Sequence, residues 1–445
     1  MTSTAQRYAK LDELGKHGSV LLLQGPNGPF FKHLAKRLRA NGTTVMKVNF
    51  NGGDSLFFCE KSAIRYRGAF EEWSTFFTVL VKSNSVKAIA LFGQWRPVHQ
   101  VAIAIARELR LKIFVFEEGY ARPWWITLEE NGVNDASSLI SCIPDKLPVF
   151  PQIARPVRFR FAFTRMAMYS YAYFAFGVLC RRSYPHYVHH KPFRPWETLY
   201  WIRSACKKLT CSLNEKGMLS SLLDPYGPDF FLVPLQISTD SQIVHSSPWE
   251  NNEAFVEATI RSFARHAVST DVLVFKHHPL ERGHADYGRF IHALAAEEGI
   301  AERVKYIHVG HVPSLLKRCK GAVTVNSTAG LQALYHGVPL CVTGKAFFAR
   351  PGLVSGKNID AFWQDPVDPN RKLFTRFYRY MMHTTQINAS FYVSKDLVKA
   401  MPGCSLLRLG RRLTGCGAAL VVFGSSGSGS VIELFVRSIL DAFRA

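Results

Sequence analysis

Nine cysteines are present, but none is set in a CxxC pair or in a Cys/His spacing that holds zinc. That excludes a disulfide or zinc framework and predicts reduced thiols in a cytoplasmic protein. No apolar run reaches the ~18–20 residues a membrane-spanning helix needs. The nearest, residues 166–180, is shorter and is flanked by Arg165, Arg181 and Arg182. Residues 1–18 are polar and charged, unlike a signal peptide. The loop after the first apolar run has glycines but neither GxGxxG nor a Walker Lys-Ser/Thr, so no nucleotide fingerprint is present there. Asp-x-Asp is absent throughout, which removes the usual carboxylate pair for a Mg²⁺–sugar-nucleotide complex. Acidic residues are scarce: 33 Asp+Glu against 55 Lys+Arg, for a formal net charge of +22. That balance calls for a polyanionic partner, whether nucleic acid, anionic lipid or a phosphorylated substrate.

What the chain does have is alternation. At 445 residues it is too long for one core, and two domains are the expectation. Short β-branched runs at Ser19-Val20-Leu21-Leu22-Leu23, residues 44–50, 86–92 and 111–115 alternate with helical segments. The pattern resumes at residues 229–235, 271–275, 304–308, 321–325 and 339–342. This predicts α/β architecture: two facing doubly wound, Rossmann-like domains with a cleft between them. The expected division is an acceptor-side domain over 1–150, a basic and aromatic segment over 151–215, a nucleotide-sugar domain over 216–375 and a helical return with a divergent tail over 376–445. In 151–215, arginines interleave with Phe and Tyr. That composition fits either an interfacial segment on an anionic membrane or a helical pair whose aromatics are core. Nucleic-acid binding is not expected, since no base-reading motif accompanies the charge.

Chemistry is predicted at the strand ends. Glu117 and Glu118 follow a strand, with Gly119 allowing a turn, at the edge where open α/β sheets bind ligands. Adjacent residues on extended backbone point opposite ways, so one of the two faces a cleft. Asn326-Ser327-Thr328-Ala329-Gly330 opens a helix directly after a strand. This is a phosphate-binding arrangement, or else a plain N-cap. Lys276-His277-His278-Pro279 closes a neighbouring strand and adds donors for the same phosphate.

These motifs carry a resemblance. Leu23-Gln24-Gly25-Pro26-Asn27-Gly28-Pro29, Asn49-Phe50-Asn51-Gly52-Gly53-Asp54, Phe92-Gly93 with Arg96-Pro97 and His99, and Glu117-Glu118-Gly119-Tyr120 with Arg122-Pro123 and Ile126-Thr127-Leu128-Glu129 form an ordered set. Asp240-Ser241-Gln242-Ile243, Lys276-His277-His278-Pro279 and Asn326-Ser327-Thr328 continue it. The set resembles the capsular polysaccharide biosynthesis proteins that act as retaining β-Kdo transferases, in particular those that place the first Kdo on the lipid terminus of group 2-type capsules. The resemblance implies a GT-B fold, CMP-β-Kdo as donor, a phosphatidylglycerol-type anionic lipid as acceptor, and no cofactor or metal. It implies a peripheral location on the inner face of the bacterial inner membrane, with other capsule biosynthesis and export proteins as partners. It places Glu118 at the catalytic centre as nucleophile or general base, with Glu117 as the alternative. Lys276, His278, Asn326, Ser327 and Thr328 would hold the CMP phosphate. Arg96, His99, Arg122, Asn51 and Asp54 would lie on the sugar-carboxylate and acceptor side. The family carries an acidic residue where this chain has Gln94. A sialyltransferase-like CMP-sugar enzyme and a non-catalytic capsule-assembly scaffold are the other readings.

Overall fold

The computed structural model describes residues 4–189, 197–238, 243 and 246–399. Asp240, Ser241, Gln242 and His245 lie outside the described residues, as does the Ser/Gly-rich tail beyond 400. Within the described residues two sheets form. The first contains β1 (Ser19–Leu22), β2 (Thr44–Asn49), β3 (Ala63–Arg65), β4 (Ala88–Phe92), β5 (Lys112–Glu118) and β6 (Ile126–Glu130). The second contains β7 (Phe230–Pro234), β8 (Val272–Lys276), β9 (Val304–Ile307), β10 (Gly321–Thr324) and β11 (Leu340–Val342). A last strand, β12 (Gln386–Ile387), returns to the first sheet. The orders are β12-β6-β5-β4-β1-β2-β3 and β11-β10-β7-β8-β9.

Each sheet is buried on both faces, and the sequence shows why. Val20 and Leu22 of β1 join one cluster with Phe30, Phe31 and Leu34, whereas Leu21 joins another with Trp73 and Phe77. Phe230 and Leu232 of β7 likewise face one cluster, and Phe231 and Val233 the other. Period-two alternation with both sets apolar is what a doubly wound sheet requires. Those clusters of the first sheet are supplied by α1 (Phe30–Ala40), α3 (Trp73–Ser83) and α4 (Pro97–Glu108), with Tyr8 and Leu11 from the helix over Thr4–Glu13; the short α2 (Gly52–Phe57) follows β2.

Two details differ from the sequence-based expectation. The strand predicted at 111–115 continues to Glu118, so both glutamates lie within β5. The next segment, 126–130, is itself a strand, antiparallel to β5, with Glu118 paired opposite Ile126. Ile126 and Leu128 alternate with Thr127 and Glu129, a strand signal hidden within what read as a functional motif. The sheet is therefore mixed at this edge, and Glu117-Glu118-Gly119 leads into a hairpin connection.

The basic, aromatic region forms two long helices, α5 (Ala162–Leu179) and α6 (Glu197–Asn214). α5 crosses α2 closely: a side chain at Gly52 or Gly53 would collide with the backbone carbonyls of Phe176 and Tyr173. One face of α5 is thus core, with Tyr173 only 2% exposed, while Met168 and Tyr171 are exposed. No helix among the described residues is long and apolar enough to cross a membrane. After the second sheet, a helix over Arg371–Thr385 buries Phe374, Phe377 and Met381, spaced three and four apart, and leads back to β12.

Candidate active site

β5 ends in two carboxylates whose side chains leave opposite faces. Glu118 continues the Phe114 and Phe116 face, where its Oε1 accepts a 3.2 Å hydrogen bond from Tyr392 Oη. Burial, followed by the neighbouring Glu118 carboxylate, pushes the Tyr392 phenol above its usual range, so it stays a neutral donor. Tyr392 belongs to the chain's return past β12 and to no motif legible in the sequence. Its role follows from packing beside Phe391, which lies edge-on to Phe116.

Glu117 faces the other way, towards the loop after β4. Gly93 there has φ +74, and a Cβ on it would sit 3.8 Å from Arg96 Nε and 3.9 Å from Glu117 Oε2. Glycine permits the left-handed turn, and a Cβ there would make only ordinary contact with the two charged groups. Burial raises the Glu117 pKa to about 7; the Glu118 backbone N–H, which donates to Oε1 at 3.0 Å, opposes that shift, as do the Arg122 and Arg96 guanidiniums. Arg96 is held by Gly25 O at 3.3 Å, and Arg122 Nε donates to Gly119 O at 3.4 Å. Two carboxylates and two guanidiniums therefore gather at one strand end, and one of the carboxylates titrates near neutrality.

Other residues expected on this side turn out to be spent internally. His99 is fully buried. Its Nδ1–H donates to Gly93 O at 2.7 Å, and burial followed by the Arg96 charge drives its pKa well below the ordinary value. A neutral, buried imidazole does not bind a sugar carboxylate as a cation; it fixes the Gly93 turn. Asn51 caps α2, accepting from Asp54 N at 2.9 Å, and donates to Tyr173 Oη at 2.7 Å. Asp54 accepts from Phe50 N at 2.9 Å and from Tyr173 Oη at 3.3 Å, with Lys47 Nζ at 4.0 Å. Both lie beneath α5, with their bonding satisfied as buried polar groups require. Gln94, where the family's acid was expected, clamps the following loop: its amide donates to Val133 O and Asp135 and accepts from Val133 N at 2.9 Å. Lys47, in the floor beneath α5, and Tyr173, which drops onto that floor from α5, were not legible as site residues.

The second sheet's carboxyl edge is built differently. Lys276 is 3% exposed, and its Nζ donates to the carbonyls of His277 and His308 at 2.9 and 3.0 Å. Burial, reinforced by Arg282, lowers its pKa to about 8. His277 points into the core against Tyr306 Oη at 2.6 Å, and burial holds its pKa down to about 3. His278 is half-buried, its Nδ1 accepting from Leu280 N at 3.2 Å. Asn326 exchanges hydrogen bonds with Gln236: its N–H donates to Oε1 at 3.2 Å, and Gln236 Nε2 donates back at 2.9 Å. Ser327 caps the helix over Thr328–His336, accepting from Ala329 N at 3.2 Å. The segment is thus an N-cap, with Thr328 partly buried in the first turn at the helix's positive pole. The carboxylates nearby, Glu215 and Glu281, accept from backbone N–H groups of His308, Val309 and Ser238. Of these groups His278, Asn326, Ser327 and Thr328 are partly exposed, whereas Lys276 and His277 are buried.

The two edges are physically connected. Tyr120, two residues past Glu118, stacks at 4.1 Å on Phe347. Phe347 lies two residues past Lys345, whose N–H bonds Ser246 O at 2.7 Å; Asn326 Nδ2 reaches the same carbonyl at 3.4 Å. Tyr120 Oη also donates to Glu129 at 2.7 Å and accepts from Asn134 N, which fixes the hairpin at this seam.

Comparison with known proteins adds the family. Residues 87–392 match the family described as capsule polysaccharide biosynthesis protein. The chain is similar to the capsule polysaccharide export protein KpsS of Escherichia coli, with 36% identity over 375 residues covering 84% of this chain and 96% of that one. It is similar to the capsule polysaccharide modification protein LipB of Neisseria meningitidis at 35% identity, covering 84% and 91%. Among solved structures, the Thermosulfurimonas dismutans KpsC β-Kdo 2,4 transferase aligns over 86% of this chain and 98% of that one, at 15% identity and a TM-score of 0.41.

Proposed function

This chain belongs to the capsule polysaccharide biosynthesis protein family, and from that premise we propose that it transfers β-Kdo from CMP-β-Kdo to a phosphatidylglycerol-type lipid with retention of configuration. The observation that carries the reading is the convergence of two unlike strand edges on one seam, bridged by Tyr120 and Phe347. On one side stand carboxylates able to form or assist a covalent bond; on the other, fixed donors suited to a departing phosphate.

In this reading Glu118, hydrogen-bonded by Tyr392, is the nucleophile of a double displacement. Its carboxylate forms a bond to the anomeric carbon as the bond to the CMP phosphate oxygen breaks. Lys276 and the helix terminus at Ser327 and Thr328 stabilise the released CMP, a task that needs no metal. The acceptor hydroxyl then displaces Glu118 and gives up its proton. Glu117, at about 7, has the pKa that general-base work at neutral pH calls for. Arg96 and Arg122 offer bidentate donors to the Kdo carboxylate. The enzyme works at the inner face of the inner membrane, beside its lipid acceptor.

Mass spectrometry of a reaction with CMP-Kdo generated in situ and a fluorescent, short-chain phosphatidylglycerol tests the proposal. A product heavier by one Kdo is expected. CMP-Kdo consumed only by hydrolysis would refute the acceptor, and absence of both turnover and CMP binding would refute the enzyme.

A further inference from the structure

Helix α6 has two faces of opposite character. Its inner side is packed: the Tyr200 ring stacks on His284 at 4.9 Å, Ser204 lies against Gly283, and Lys207 Nζ bonds Asp286 at 2.6 Å. On the other side Leu199, Ile202, Leu209 and Leu213 recur at heptad-like spacing, and they are 65%, 40%, 68% and 76% exposed. A stripe of that regularity on an outer face is not explained by the fold's own core. α5 repeats the arrangement. Opposite buried Tyr173 it exposes Met168, Tyr171, Val178 and Leu179.

Charge decides what covers these faces. Between Asp145 and Glu215 the sequence holds twelve Lys and Arg but only one acidic residue, Glu197. A second copy of the chain docked stripe to stripe would bring Arg203, which borders the stripe, up to a partner helix with no acidic residue within residues 198–214 to answer it. An anionic bilayer satisfies both features at once: acyl chains take the aliphatic stripe, and headgroup phosphates take the cations.

We propose that the outer faces of α5 and α6 lie in the interface of an anionic membrane and dock the protein on it. This deepens the lipid-acceptor reading and rests on it for its purpose. It also links the membrane to the donor edge. Glu215, directly after α6, accepts hydrogen bonds from His308 and Val309 at the end of β9, and His308 O in turn holds Lys276.

The test is co-sedimentation of the full chain with phosphatidylcholine vesicles containing about one third phosphatidylserine, an anionic lipid other than the acceptor. The parent is expected to pellet at low salt, to be released at high salt, and to ignore pure phosphatidylcholine. Leu209→Glu with Leu213→Glu should weaken partition at least about tenfold, since two charges would enter the acyl boundary, with an unchanged thermal melt because both sites are exposed. Arg203→Gln with Lys208→Gln should lower the salt sensitivity. Failure of the parent to pellet at low salt, or pelleting of the Leu209/Leu213 variant like the parent, overturns the proposal. So does a concentration-dependent dimer that the variant abolishes without any vesicle binding in the parent. Transfer to the short-chain acceptor needs no bilayer, so the proposed reaction stands or falls separately.

Discussion

The two strand edges that meet at the seam solve different electrostatic problems. At the end of β5, opposite charges are kept close and incompletely satisfied: Glu117 and Glu118 beside Arg96 and Arg122, with one carboxyl moved to about 7. At the ends of β8 and β10, carboxylates accept hydrogen bonds from backbone N–H groups and the remaining groups are fixed donors. The first edge is suited to charge that appears and disappears during a reaction, the second to an anion that stays an anion. The difference teaches that the ends proposed for catalysis and for phosphate binding are told apart by how their carboxylates are used, more than by which residues are present.

Breaking the first edge should have the larger effect. Glu118→Gln keeps the size and the Tyr392 contact but removes the nucleophile, and is expected to lower kcat by roughly 10³-fold or more with the melting temperature unchanged. Lys276→Met attacks the second edge. It should weaken CMP binding by about ten- to a hundredfold in calorimetry, because a charge-assisted phosphate contact is lost. With Lys276 near 8 in the free protein, parent affinity for CMP should also decline as pH rises through that range, and the variant should not follow.

Glu117 gives a prediction whose sign is set by its raised pKa. The folded state binds this proton more tightly than the unfolded chain, so the stabilising effect is complete below the ordinary carboxylate range and is lost as pH rises through about 7. Urea midpoints of the parent relative to Glu117→Gln should therefore fall between pH 5 and pH 8; a constant difference would place Glu117 in water. The smallest effect is expected from Tyr392→Phe. Loss of the phenol's hydrogen bond to the Glu118 carboxylate, worth about 1.5 kcal/mol, should cost about tenfold in kcat with little change in CMP affinity.

Much of this was legible in the sequence. Period-two apolar runs ending in Gly, Asn and His announced both sheets, and the glutamate pair and the Asn-Ser-Thr cap stood at those ends. What the sequence hid was long-range. Tyr392 meets Glu118 across 274 residues. Tyr173 drops from α5 onto Asn51 and Asp54 and turns expected acceptor-side residues into a buried floor. His99 read as a ligand of the sugar carboxylate because nothing local reveals that the Gly93 turn folds it inward. β6 was missed because its alternation coincides with a motif. Local pattern shows where chemistry-bearing residues occur; which of them remain available is settled by tertiary packing.

The most direct test of the division between the two edges is to measure CMP binding and Kdo transfer on the same preparations of Glu118→Gln and Lys276→Met. The account requires Glu118→Gln to bind CMP like the parent and transfer nothing, and Lys276→Met to lose CMP affinity first. A Glu118→Gln protein that turns over like the parent, or that loses CMP binding as Lys276→Met does, would contradict it.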